Sequence, residues 1–374
     1  MKKIVYMDAA ASWLKQQSVI ESEADFLMNS YANAGRGVCD LAVAVDKKIA
    51  DVRQYVADFI GATSVSNVIF TFGTTDALNR IVNIIKNTPS IWNKKPVVAV
   101  SDLDHHSARL PWQELAQNGQ CEISVCPLDK NLNIDINNIP MCDIFVITAM
   151  SNVLGILQDV GAIIKAARII NPNVITIVDA AQSVVHSKIN VEKIGCDFLC
   201  FSGHKIGADT GVGVMYIRNP DKFNPDKFGG GMVKRVLENG EAILNQSPEK
   251  FEAGTLPLTQ IIGLVNAIKY LSDWHNQKSG LISYMYDELS KIPHVKILTQ
   301  RDAAMLSFVI DGMHPLDFGI MIGAYDICVR VGNMCASWIH KRLNVDGSIR
   351  ISVGPWNTIN DAEYVIKTIR KVVK

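Results

Sequence analysis

An acid and a lysine each follow an apolar run that is typical of a buried strand. Residues 174–178 end at Asp179, and residues 198–201 are followed by Ser-Gly-His and then Lys205. Ligands of open α/β sheets bind beyond the carboxyl ends of such strands, so we expect Asp179 and Lys205 to face one crevice. A carboxylate there can keep a pyridinium nitrogen protonated, and a desolvated lysine can form a Schiff base. Chemistry with pyridoxal phosphate (PLP) requires both functions; the alternative is a structural ion pair.

A glycine followed by two threonines marks a second place where chemistry is expected. Residues 68–72 read as a strand, and Gly73, Thr74 and Thr75 open the next amphipathic helix. The first N–H groups of a helix have no partner within it, so they and the threonine hydroxyls can bind an anion. Any turn between a strand and a helix could look the same, so this pattern alone does not decide.

Two adjacent histidines, His105 and His106, follow the strand predicted at residues 97–100. An imidazole with an ordinary pKa near 6.5 can take up and return protons at neutral pH. Paired histidines also suggest a metal site, but the sequence has no HExxH motif and no further ligand at zinc spacing. We therefore predict no metal here and expect a structural role for His106.

The elements that must position these residues follow an α/β pattern. Strands alternate with helices through residues 68–217, which indicates βαβ units and a mainly parallel sheet. Apolar residues at three- and four-residue spacing predict a helix that ends at Gly61. The C-terminal third predicts a smaller α/β unit, with strands at residues 295–298, 305–310, 327–331 and 349–353 and helices at 280–291, 315–322 and from 360.

The composition is that of a chain that buries a large core. Hydrophobic residues make up 48% of 374, and 37 basic residues balance 37 acidic ones, so nothing indicates nucleic acid or a membrane surface as a partner. No apolar run is long enough to span a bilayer, and the N-terminus does not resemble a signal peptide. Eight cysteines without a CxxC pair favour a reducing cytoplasm.

Several motifs, in order, resemble those of the class V PLP-dependent enzymes, the cysteine desulfurases in particular. They are VDAAQ at 178–182 followed by His186, SGHK at 202–205 and TGVG at 210–213, within a likeness that runs from MDAAAS at 7–12 to SIRISVGPWNT at 348–358. The resemblance implies PLP-dependent transferase fold type I: a large, mainly parallel-sheet domain and a smaller α/β C-terminal domain. We place the PLP-binding domain at 14–256 and the small domain at 257–374, with 1–13.

The same resemblance implies roles for the residues around the cofactor. Lys205 would be the Schiff-base lysine and a later acid or base, and Asp179 would hold the ring nitrogen. Gln182 would donate to the phenolate oxygen, and His105 would stack on the ring and move protons. Phosphate contacts are implied for Thr74, Thr75, Ser202 and His204, and for Thr255 in the segment FEAGT, lent across to the neighbouring subunit.

On the substrate side, the resemblance implies that Arg350 holds the α-carboxylate, with Asn152 on the carboxylate or phenolate side and Arg330 assisting. Arg36, between two glycines, would reach into the partner's site. Cys335, in VRVGNMCAS, would attack the substrate sulfur and become a persulfide, since the thiolate is the nucleophile. Without the resemblance, such arginines are more often solvated, and a lone cysteine is more often a small core residue.

We therefore expect a cytoplasmic homodimer that converts L-cysteine to L-alanine and passes the persulfide to an acceptor. The short spacing around Cys335 resembles the group II, selenocysteine lyase-like desulfurases. Selenocysteine lyase, cysteine C–S lyase or another class V activity such as an aminotransferase stays open. A non-catalytic scaffold also stays open, although Lys205, Asp179 and Arg350 argue against it.

The chain departs from the family pattern at three places. Many relatives have a histidine where Gly35 stands, and relatives usually have histidines at the positions of Asn333 and Met334. KIGAD at 205–209 replaces the commoner KLYGP. These differences bear on the acceptor and the substrate, and they leave the PLP residues in place.

Overall fold

The computed structural model describes residues 4–35, 37–92, 94–275 and 280–373. Its described strands are β1 (Val5–Tyr6), β2 (Val68–Thr71), β3 (Val97–Val100), β4 (Glu122–Val125), β5 (Ile144–Thr148), β6 (Ile175–Asp179), β7 (Phe198–Ser202), β8 (Gly213–Ile217), β9 (Val233–Val236), β10 (Ala242–Leu244), β11 (Val295–Ile297), β12 (Leu306–Ile310), β13 (Ile327–Cys328), β14 (Arg330–Gly332) and β15 (Ser348–Ile351).

Helices follow or precede most of these strands in the described chain. They are α1 (Gln17–Asp25), α2 (Asp40–Ile60), α3 (Thr74–Lys86), α4 (His106–Gln117), α5 (Val160–Ile170), α6 (Ser183–His186), α7 (Val191–Ile194), α8 (Leu258–Trp274), α9 (Leu281–Leu289), α10 (Pro315–Gly323), α11 (Ser337–Arg342) and α12 (Ile359–Val372). In the described part of the chain, no helix is both long and apolar enough to span a membrane.

Seven of the described strands form the larger sheet, in the order β2–β8–β7–β6–β5–β3–β4. β3, β4, β5, β6 and β7 pair in parallel, and β8 runs antiparallel to both β7 and β2. Every residue of β2, β5, β7 and β8 is buried, which explains why these strands read as unbroken apolar runs. The predicted mainly parallel sheet is confirmed.

Helices pack on both faces of this sheet. Val178 belongs to a buried cluster with residues of α2 and α8, whereas its neighbour Ile177 packs in a second cluster with residues of α3 and α4. Because successive strand side chains point to opposite faces, a strand buried on both sides presents apolar groups to both clusters. α2 ends as predicted at Gly61, whose φ of 68° is left-handed.

The C-terminal segment builds a second sheet, in the order β11–β12–β15–β14, with antiparallel pairing throughout its described strands. Residues of α9, α10 and α12 pack with it in a separate buried cluster, which Val5 and Met7 of the N-terminal segment join. β1 pairs in parallel with β13, so the N-terminus is held beside the C-terminal unit. The division at residues 14 and 257 stays a prediction.

Several boundaries differ from the sequence-based expectations. The single strand expected at 327–331 is broken, because β13 pairs with β1 whereas β14 pairs with β15. The helix expected from residue 14 begins at Gln17, and its last turn is a π-helix at Phe26–Ser30. Edge strand β4 and the hairpin of β9 and β10 were not predicted, because they are largely exposed and lack a buried apolar pattern.

Candidate active site

A cavity of about 340 Å³ lies where the two sheets meet, beyond the carboxyl ends of β5, β6 and β7. The structure brings most of the predicted site residues to its wall: Thr74, Thr75, His105, Asn152, Asp179, Gln182, Ser202, His204, Lys205, Arg330, Cys335 and Arg350. Thr255 is exposed and is not among the lining residues. Arg36 lies outside the described residues.

Asp179 and Lys205 occupy the position that their strands predict. Asp179 ends β6, is 5% exposed and accepts a hydrogen bond from Ala181 N at 3.0 Å. Burial raises the pKa of Asp179 to about 6. Burial, followed by the charge of Arg350, lowers the pKa of Lys205 to about 8, which favours the neutral amine more than in a solvated lysine. Lys205 Nζ donates to Ala10 O at 2.6 Å.

An anion-binding corner is formed by the start of α3 and the end of β7. Ser202 Oγ accepts from Thr74 N at 2.7 Å and lies 2.8 Å from Thr74 Oγ1. Gly73 precedes the helix with φ 138°, and a Cβ there would come within 3.2 Å of Ser202 Oγ. Thr75 Oγ1 is 2.8 Å from Ser107 Oγ. Hydroxyls that now bond to one another can turn to an anion at a helix N-terminus.

A second corner contains two arginines on opposed strands. Arg330 and Arg350 are paired across β14 and β15, and Asp8 lies between them. Asp8 Oδ2 accepts from Arg330 Nη2 at 2.5 Å, and Asp8 Oδ1 accepts from Arg350 Nη2 at 3.0 Å. Arg350 is 2% exposed, and its Nη1 also donates to Asn152 O at 2.7 Å. Arg350 is therefore not a solvated strand arginine.

Asp8 is the site residue that sequence reasoning missed. It lies in the MDAAAS motif at 7–12, which served only to mark where the family likeness begins, although Asp8 is the one charged residue of that motif. That charge was the available signal. The sequence does not indicate that Asp8 lies beside β15. That position follows from the bridge between Asp8 and Ser352.

Three buried polar atoms of the lining have no hydrogen-bond partner in the described part of the chain: Asn152 Oδ1, Gln182 Oε1 and Arg350 Nε. Unpaired buried polar atoms are costly, so such a group within one cavity indicates a polar ligand. Gln182 was expected to donate to this ligand. Its Nε2 donates one N–H to Ala10 O at 2.8 Å, which leaves the second N–H and the amide oxygen for the ligand.

His105 is held at the beginning of α4, where its Nδ1 accepts from Ser107 N at 3.1 Å. Burial, followed by the charge of Lys205, lowers the pKa of His105 to about 4. The pKa of His105 is therefore lower than the ordinary value near 6.5 that was expected from the sequence, and the neutral ring predominates at pH 7. His204 is likewise neutral, because burial lowers its pKa to about 4.

Cys335 lies on a loop at the mouth of the cavity and is exposed, unlike the buried thiols of Cys121, Cys126, Cys196 and Cys200. Its φ is 54° and that of Met334 is 48°, both in the left-handed region. Cys335 O accepts from His106 N at 2.7 Å. Cys335 is therefore not a small core residue. An exposed thiol on a loop whose backbone is hydrogen-bonded is suited to act as a nucleophile.

The chain is similar to known proteins over almost its whole length. The sequence model described as aminotransferase class-V matches residues 5–365. The chain is 33% identical to a cysteine desulfurase of Wigglesworthia glossinidia brevipalpis over 99% of its own length and 93% of that protein. A probable cysteine desulfurase of Borreliella burgdorferi is also 33% identical, over 100% of this chain and 92% of its own.

Solved structures show the same likeness. The apo structure of a cysteine desulfurase from Thermococcus onnurineus superposes with a TM-score of 0.92 at 31% identity, covering 99% of this chain and 94% of that one. The cysteine desulfurase CsdA of Escherichia coli gives 0.89 at 28% identity with the same coverage. Matched over nearly its whole length, the chain belongs to the aminotransferase class-V family.

Proposed function

We propose that the protein is a PLP-dependent cysteine desulfurase, which converts L-cysteine to L-alanine and keeps the sulfur as a persulfide on Cys335 for an acceptor. The observation that carries this proposal is the exposed Cys335 on the wall of the cavity that also holds Lys205, Asp179 and Arg350. Full-length likeness to proteins named cysteine desulfurases supports the same reaction.

The residues of the cavity fit PLP. Thr74, Thr75, Ser202 and His204 would hold the phosphate, where a glycine at position 73 leaves room. Asp179 would hold the ring nitrogen, and Lys205 would carry the covalent link. His105 and Gln182 would contact the ring and its oxygen. When bound, the cofactor supplies an electron sink for a carbanion next to the amino group.

The chain's own residues then account for the remaining tasks. Arg350 would bind the substrate carboxylate, for which its Nε is still unpaired, and Arg330 would add positive charge. Asn152 would lie on the carboxylate or phenolate side, where its unpaired Oδ1 can accept a hydrogen bond from a donor of the bound groups. Lys205, with a pKa of about 8, can accept a proton and return it at neutral pH. His105, a neutral imidazole with a lowered pKa, would stack on the ring and can accept a proton there.

Cys335 would take the sulfur directly. A bond forms between its sulfur and the substrate sulfur, and the carbon–sulfur bond of cysteine breaks. The bonding electron pair stays with the carbon, which gains one proton to become the methyl group of alanine. The thiol proton lost by Cys335 balances that gain, so no outside oxidant or reductant is needed.

A homodimer with shared sites is part of the proposal. Thr255 is exposed and away from the cavity of its own chain, as a residue lent to a neighbour would be, and Arg36 would be lent in the same way. A sulfur-acceptor protein would collect the persulfide. Because the chemistry uses a free thiol, we also propose the reducing cytoplasm as its location.

Product analysis tests the reaction against its rivals. With L-cysteine, we expect equal amounts of L-alanine and of persulfide on the peptide that contains Cys335, measured by chromatography and mass spectrometry. Pyruvate and ammonia would instead indicate a C–S lyase, and a keto acid an aminotransferase. Turnover of selenocysteine alone would indicate a selenocysteine lyase, and no turnover with no bound cofactor would indicate a scaffold.

Asp179→Asn is expected to keep the cofactor bound while slowing alanine release by roughly 100-fold, because a neutral amide does not stabilise a protonated ring nitrogen. Steady-state rates at equal cofactor content, read from visible absorbance, measure the effect. A variant that turns over at the parent rate would mean that Asp179 is only structural.

Arg350→Lys is expected to raise the KM for L-cysteine by about 10- to 100-fold, because an ammonium lacks the planar fork that pairs with a carboxylate. Arg301→Lys is the matched control, since Arg301 makes a two-bond pair with Asp287 on the exposed surface, at 2.7 and 2.6 Å. Equal KM values in both variants would mean that Arg350 does not bind the substrate carboxylate and serves only in its contacts with Asp8 and Asn152.

A further inference from the structure

The backbone of the loop that carries Cys335 is hydrogen-bonded to segments that follow strands of the larger sheet. His106 N donates to Cys335 O at 2.7 Å, and Asn152 Nδ2 donates to Met334 O at 2.7 Å. Both donors follow strands of the larger sheet, whereas the loop joins β14 to α11. Two consecutive carbonyls of the loop are thus held from outside it.

The side chain of His106 makes a further contact with Ser337, two residues after Cys335. Its Nε2 accepts from Ser337 N at 3.3 Å and lies 3.1 Å from Ser337 Oγ. Its ring stands edge-on to Trp338 at 5.3 Å between centroids, and the guanidinium of Arg109 lies 4.3 Å from the same indole. His106 therefore holds the loop both at Cys335 and two residues beyond it.

This turn needs such support. Met334 and Cys335 both have left-handed φ values, 48° and 54°, a conformation that is unfavourable for a residue with a side chain. Such strain persists only where the surroundings hold it, so a loop released from Ser337 would relax and carry the Cys335 thiol with it. Burial lowers the pKa of His106, which favours the neutral ring that an accepting Nε2 requires.

We propose that His106 is a positioning residue for Cys335: its imidazole holds Ser337, and thereby the turn at Met334 and Cys335, so that the thiol stays at the cavity. The effect on reaction rate rests on the proposed desulfurase function. The hold on the loop does not, because it is a property of the described contacts.

His106→Leu in the cofactor-loaded protein tests this. We expect kcat for alanine release to fall by about 10- to 100-fold with KM for L-cysteine within about twofold, since a displacement of about 1 Å at a reacting group has effects of this size. Amide hydrogen exchange in the peptide spanning residues 333–338 should become about tenfold faster. His106→Gln, whose Oε1 can accept from Ser337 N, should restore most of both values.

His314→Leu is the matched control. His314 Nδ1 also accepts a backbone N–H, from Leu316 at 3.3 Å, but at the start of α10 and outside the cavity lining. It should leave kcat and exchange at 333–338 unchanged. If His106→Leu lowers cofactor content, His106→Asn, whose amide is too short to reach Ser337 N, carries the same test.

The outcomes separate the two proposals. Parent-like exchange in His106→Leu, or faster exchange with parent-like kcat, overturns the positioning role. A loss of rate that His106→Gln does not restore also overturns it, because the acceptor atom would then not be the cause. If the parent protein releases no alanine from cysteine, the desulfurase function fails, and hydrogen exchange alone decides whether His106 holds the loop.

Discussion

Replacing Cys335 with alanine is expected to abolish alanine release from L-cysteine, by more than about 1000-fold, because the group that receives the sulfur is lost. PLP and cysteine should still bind, since Lys205, Asp179 and Arg350 are untouched. Alanine is measured by chromatography, and mass spectrometry of the variant should find no added sulfur. Visible absorbance at equal protein concentration checks that cofactor content is unchanged.

Cys39→Ala is the matched control, since Cys39 is the other cysteine with an exposed side chain in the described chain. It should turn over at the parent rate. Selenocysteine adds a second comparison, because selenium leaves carbon more readily and a lyase reaction can proceed without the thiol. Selenide release kept by Cys335→Ala would indicate that activity. Desulfuration of cysteine at the parent rate would show that the thiol only packs in its loop.

Lys205→Ala is expected to remove the covalent attachment of the cofactor and to lower turnover by more than about 1000-fold, because the variant loses both the amine and the proton carrier. The fold should remain, since burial penalises the charged ammonium, and Ala10 O, to which Lys205 Nζ donates, keeps its hydrogen bond from Gln182 Nε2. Borohydride treatment followed by peptide mass spectrometry measures the attachment, and thermal unfolding measures stability.

Lys205→Arg serves as the control for charge. It keeps a cation near Asp179, yet a guanidinium does not form the covalent link, so it should be as inactive as the alanine variant. Activity restored by arginine would assign Lys205 an electrostatic role. Cofactor that borohydride still fixes to the same peptide of Lys205→Ala would mean that another amine carries the link.

The departures from the family pattern affect side chains more than the backbone that holds the site. Met334 contributes its carbonyl to Asn152, and Asn333 O accepts from Ala336 N at 2.9 Å, which any residue there could do. Within KIGAD, Gly207 has a left-handed φ of 95°, and Asp209 lies 3.8 Å from Lys15. The loops are therefore held without the histidines that are common in relatives.

Much of the fold and site could be predicted because strand ends are local signals. The apolar runs that stop at Asp179 and before Lys205 predict buried parallel strands, and such strands bring their carboxyl ends to one edge. The Gly73-Thr74-Thr75 turn predicts a helix N-terminus by the same local logic. Order and spacing of these motifs were enough to identify the family.

Only the tertiary structure decided the contacts between segments distant in the sequence. Asp8 meets Arg330 and Arg350 across more than 300 residues, because β1 pairs with β13 and the N-terminus lies beside β15. His106 meets Ser337 by a similar approach of two loops. The pKa of His105, about 4, depends on burial that a motif does not contain. The sequence determined which chemical groups are present; packing between remote segments determined their charge state and what holds them.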